Sequence, residues 1–138
     1  MNNKKEVTRL DLICPFAVMK GKTKKKRVPI NLNWYRNAHY MESNEVKRLY
    51  KELIAPQVEG IRLKTPVSCT VQIFKPTRRI LDKHNVDSIT RKFLFDALTE
   101  LGVWEDDNDE FIKIEKTLPT IHDKGNERVE VTFKSVKE

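Results

Sequence analysis

Five side chains of this 138-residue sequence have the types and spacing for phosphodiester chemistry: Asp82, His84, Lys92, Asp106 and Asp107. Asp82 and His84 stand two positions apart in what reads as an extended segment, which would turn both side chains to one side. Asp106 and Asp107 belong to a dense acidic run, 104–110 (WEDDNDE), in a chain that is otherwise basic. Carboxylates that converge repel one another unless a cation sits between them, and hard oxygen ligands suit Mg²⁺ or Mn²⁺. Such an ion beside a phosphodiester activates water and neutralises charge on the phosphorane oxygens. Lys92 would add a positive charge for the transition state. The same residues also read as a solvated turn after a helix, with Lys92 and Asp96 an ordinary i,i+4 surface pair. Spacing alone leaves both readings open.

The element that must position these groups is a helix. Val86, Ile89, Phe93, Ala97 and Leu101 recur at helical spacing, and Leu94 and Leu98 widen the stripe. Asn85 reads as its N-cap and Gly102 as its C-cap. Asn85, Ser88, Lys92 and Asp96 form a second, polar stripe on a different face. A first amphipathic helix follows the cap residues Ser43 and Asn44, carries Val46, Leu49, Tyr50, Leu53 and Ile54, and ends at Pro56 and Gly60. Four segments read as strands: 7–14, 67–74, 111–118 and 127–136. The turn-rich stretch 122–126 would join the last two as a hairpin. The expected fold is therefore α+β: one small mixed sheet, two main helices packed on it and a C-terminal β-hairpin, all in a single domain over 1–138. Segment 28–40, rich in Asn and aromatic residues, reads as an ordered loop or short extended segment. Segment 20–27, with Lys20, Lys22, Lys24, Lys25, Lys26 and Arg27, reads as an extended, solvated basic loop.

Lys and Arg number 27 against 20 Asp and Glu, a net charge of +7, which favours a polyanionic partner. No apolar run approaches the roughly 20 residues of a membrane span. Charges fall where a signal peptide would have its apolar core, so a cytoplasmic location is expected. Cys14 and Cys69 lie far apart in apolar stretches and read as buried, reduced thiols, without the spacing of a zinc site. His39 and His122 read as surface residues.

Asp82, Lys83, His84 and Asn85, then Lys92, then Asp96, Ala97 and Leu98, then 102–107 (GVWEDD) resemble the core of the RusA-type Holliday junction resolvases, whose signature is Asp-x-Asp-Asn, a helix lysine, Asp-Ala-Leu, a Gly and a closing Asp-Asp. The strong match covers about 30 residues. The resemblance implies a small homodimeric endodeoxyribonuclease that uses Mg²⁺, with Mn²⁺ as a substitute, to nick four-way DNA junctions in recombination and repair, in the cytoplasm of a bacterial or phage-infected cell. By position it implies Asp82 and Asp107 as metal ligands, Lys92 as the helix lysine and Asn85 as the signature Asn, with Asp106 assisting. His84 stands where the signature has its second Asp, and Asn85 and Lys92 lie about one helical turn further apart than is usual. A rival alignment places Asp87 in that slot. For DNA contact the candidates are Lys22, Lys24, Lys25, Lys26 and Arg27, the aromatic-basic group Trp34, Tyr35 and Arg36, and Arg78 and Arg79 ahead of Asp82. A weakened member that binds branched DNA as a scaffold, and a nuclease for flaps and replication forks, are the alternatives.

Overall fold

In the computed structural model, which describes residues 4–137, the chain runs β1 (Lys5–Val7), β2 (Arg9–Cys14), β3 (Ala17–Lys20), β4 (Lys26–Pro29), α1 (Leu32–Asn37), α2 (Tyr40–Ile54), a 3₁₀ turn (Ala55–Gln57), β5 (Ile61–Leu63), β6 (Val67–Lys75), α3 (Lys83–Glu100), β7 (Ile112–Thr117), β8 (Ile121–His122) and β9 (Arg128–Ser135). The fold is α+β. Its main sheet has the order β2-β9-β6-β7, with β8 beside the end of β6. β6 is parallel to β7 and β8 and antiparallel to β9, so the sheet is mixed.

Period-two alternation builds the core. Leu10, Leu12 and Cys14 of β2, Val129, Val131 and Phe133 of β9, and Val67, Cys69, Val71 and Ile73 of β6 are all buried. They join Val46, Tyr50 and Ile54 of α2 and Val86, Ile89, Phe93, Leu94 and Leu98 of α3 in one apolar cluster. Each such side chain contributes about 1.5–3 kcal/mol on burial. Most of the intervening strand residues are polar, and some pair with one another, as Arg9 does with Asp11 at 2.9 Å and Arg128 with Glu130 at 2.7 Å. Both cysteines are free and buried, and burial pushes each thiol up to about 12. No helix of the described residues is long and apolar enough to cross a membrane.

Four expectations need correction. The last two long strands do not form a hairpin: β6 lies between β7 and β9. After Pro119 the chain resumes beside β6 as β8, and a turn at Asp123, whose N–H donates to the Lys75 carbonyl, carries it around the end of β6 into β9. Alternation identifies a strand but not its neighbour. Segment 28–40 holds a helix, α1, capped by Asn31, whose side chain accepts from the Trp34 N–H at 2.8 Å. α2 begins earlier than Ser43, because the His39 imidazole accepts from the Met41 N–H and caps it; Tyr40 and Met41 face solvent and so add nothing to the apolar stripe. Segment 20–27 is the turn and second strand of an antiparallel hairpin, β3–β4.

Candidate functional site at the two ends of the long helix

Asp82 caps α3. Its Oδ1 accepts from the His84 N–H at 3.0 Å, satisfying one of the helix's open donors. His84 is therefore helical, and the same-side alternation with Asp82 expected of an extended segment does not occur. The His84 side chain is 75% exposed, with Nδ1 3.4 Å from Oδ2 of Asp87. Asn85, expected as the cap, instead accepts from the Asn33 N–H of α1 at 3.0 Å. Asp82, His84 and Asn85 line a cavity of about 220 Å³ with Leu32, Asn33 and Arg36. Arg78 and Arg79 are exposed in the loop leading to it.

The other end of α3 closes on Gly102, at φ +73°, in a Schellman motif: Val103 N–H donates to the Leu98 carbonyl and Gly102 N–H to that of Thr99. Lys4 Nζ donates to the carbonyls of Leu101 and Gly102, a cation at the negative helix end. Trp104 is buried, its indole N–H on Thr99 Oγ1 at 2.8 Å. Burial there anchors the acidic loop. Beyond it, Asp106 accepts through Oδ1 from the Asp107 N–H at 2.7 Å and through Oδ2 from the Asn108 amide at 3.1 Å. Half-burial first, then the Asp106 carboxylate beside it and the charge of Asp96, hold the Asp107 carboxyl above its ordinary range. Asp96 pairs with Lys47 of α2 at 2.6 Å.

Asp82 and Asp107 do not converge within one chain. α3 runs back between two parallel strands, so its N-terminus lies at the C-terminal end of β6 and its exit loop leads to the start of β7. Asp96 is about 21 Å of helical rise beyond Asp82, and Asp107 sits within electrostatic reach of Asp96. Among the described residues no group of three or more His, Cys, Asp or Glu side chains is drawn together closely enough to hold a metal ion. The carboxylates at the acidic end are hard oxygen donors of the kind that suit Mg²⁺ or Mn²⁺.

Lys92 lies between the two ends, 5.7 Å above the Tyr35 ring. It and Asp96 are not each other's partners. Asp87, the rival ligand, is only 4% exposed in its side chain and belongs to a buried polar network. Its Oδ2 accepts from Thr117 Oγ1 at 2.6 Å and lies 3.3 Å from Arg91, which also contacts Glu115 at 3.2 Å. Sequence reading missed this network, although Asp87 and Arg91 stand at i,i+4. It also gave Asp96 no part in the acidic group.

The basic residues divide. Lys20 and Lys26 reach Glu42 of α2 at 3.5 and 3.3 Å, and Arg27 reaches Glu127 at 2.7 Å. The Trp34 indole N–H, then the lysines, hold the Glu42 carboxyl below its usual range. Lys22, Lys24 and Lys25, at the exposed hairpin tip, have no carboxylate within 4.0 Å among the described residues. Trp34 and Tyr35 pack edge-on against Phe93 at 6.1 and 5.9 Å, which makes them part of the α1–α3 contact. Arg36 stays at the cavity rim. No protein-family model matches the chain, and no curated protein matches it significantly.

Proposed function

We propose that this chain is a divalent-metal-dependent endonuclease of branched DNA that acts as a homodimer and nicks four-way junctions. The observation that carries the reading is the acidic end of α3, where Asp106 and Asp107 are adjacent in one loop, and partial burial, then Asp106 and the charge of Asp96, raise the Asp107 carboxyl, a setting that a bound cation would relieve. The resemblance of 82–107 to the RusA-type core, the +7 net charge and the free lysines of the β3–β4 tip support it. Because α3 separates Asp82 from the acidic loop, we assign a complete ligand set to two copies. Asp82 of one copy, assisted by His84, meets Asp106 and Asp107 of another lying antiparallel to it. A two-fold axis then generates two equivalent sites, one for each of two opposed strands. Bound there, Mg²⁺ or Mn²⁺ supplies charge neutralisation at the phosphodiester and acidifies water. Lys92, on the same helix, adds positive charge near the reacting phosphate, and Lys22, Lys24, Lys25, Arg36, Arg78 and Arg79 hold the backbone.

The test is incubation with a synthetic four-way junction and with linear duplex, with and without Mg²⁺. Paired nicks in the junction alone, only with metal, are expected. Failure to bind the junction contradicts the proposal. Tight binding without cleavage in either Mg²⁺ or Mn²⁺ selects the scaffold reading, which is favoured by Asp82 serving as a helix cap and His84 turning to Asp87.

A further inference from the structure

Ile80 is 100% exposed, although eight other large apolar side chains that reach the surface keep between 38% and 68% exposure. It is held out by a braced loop. Lys75 Nζ donates to the Arg79 carbonyl at 2.9 Å, and the Arg79 N–H reaches Thr77 Oγ1 at 3.4 Å. On the other side Leu81 packs on the core and Asp82 caps α3. The segment before Ile80 is thus tied back on itself and the segment after it is anchored, which leaves a bare sec-butyl group projecting between them. Exposed Arg78 and Arg79 precede it, and the Arg36-lined cavity with Asp82 begins two residues later.

An apolar side chain in that setting suits a polyanion with separable stacked bases. The arginines neutralise phosphates on either side while the alkyl group enters between base pairs, as apolar wedges do in DNA-bending proteins. A branch point offers the least resistance, because stacking there is already interrupted. We propose that Ile80 is a wedge that inserts at the centre of branched DNA and unstacks the bases beside the phosphate presented to Asp82. The proposal rests on the nuclease reading and adds a residue that selects branched over linear DNA.

The test uses the full chain in EDTA, so that nothing is cut, and a four-way junction with 2-aminopurine at the branch point. Wild type should raise the 2-aminopurine fluorescence on binding. Ile80→Ala should bind the junction about tenfold more weakly, bind linear duplex as wild type does, and leave the fluorescence unchanged. Ile80→Phe should restore both signals. All variants should melt with the wild type, since Ile80 makes no core contact. Binding by Ile80→Ala with full affinity and a wild-type fluorescence rise overturns the wedge and leaves the nuclease reading intact. A variant unchanged in DNA binding but impaired in self-association would overturn it in favour of a contact between copies. No junction binding by wild type overturns both.

Discussion

The two ends of α3 carry chemically similar residues in opposite electrostatic states. At the N-terminal end every group is met by a neutral donor or a fixed partner: Asp82 by the His84 N–H, Asn85 by the Asn33 N–H, His84 by Asp87. At the C-terminal end Asp107 is pushed up by burial and by two like charges. The first end is satisfied by fixed partners in the free chain, and the second holds carboxylates close to one another. Carboxylate content is therefore a poor guide to how tightly a carboxylate is satisfied. Partial burial beside like charge is the better one.

If both ends serve one reaction, Asp82→Asn and Asp107→Asn should each reduce cleavage by about a hundredfold or more, measured as initial nicking rates on a junction. Junction binding should stay near wild type, since removing negative charge does not weaken phosphate contact. Full cleavage by either variant would remove that residue from the site. Asp87→Ala tests the support beneath the settled end. It strips a buried acceptor from Thr117 and Arg91 and should cost about 3 kcal/mol in a urea titration. A loss near zero would mean that the network is solvated and that Asp87 is open to ligand duty.

The salt dependence of binding separates free from paired cations. Replacing Lys22, Lys24 and Lys25 by Ala should flatten the log–log slope by up to about 2.7, at about 0.9 per phosphate contact. Lys26→Ala should change it less, because Lys26 is engaged by Glu42. Equal effects would show that the Glu42 pair dissolves on DNA. The smallest effect concerns the frustrated end. The folded Asp107 pKa exceeds the unfolded one, so between the two values the native state keeps a proton that the unfolded chain has lost, and stability falls as pH rises from the ordinary carboxylate range through the raised folded value and then levels off. Without metal at pH 7, Asp107→Asn should therefore melt slightly higher than wild type. Mg²⁺ should raise the wild-type melting temperature and leave the variant's unchanged.

Much of this was readable in the residues. The α3 stripe, Gly102 as its terminator, the alternation of β6 and the α+β class follow from period and turn chemistry. Asp82 reads as extended because Asp82 and Asn85 are both good caps three residues apart, and local propensity does not choose between them. α1 escaped because its six residues are too few to display an apolar period. The partners of β7 and β9 are a tertiary matter, invisible to alternation. The separation of Asp82 from Asp107 follows from helix length alone: α3 has 18 residues, about 27 Å at 1.5 Å each.

That separation yields the most direct test, which is to mix two inactive variants. Asp82→Asn and Asp107→Asn protein, unfolded together and refolded, should form heterodimers in which one site inherits both substitutions and the other is intact. The mixture should regain single-strand nicking of a four-way junction, at up to about a quarter of the wild-type rate if chains pair at random. If each site were built within one chain, every site in the mixture would be dead. Absence of cleavage, with heterodimer formation verified by mass after one variant has been isotope-labelled, would contradict the account.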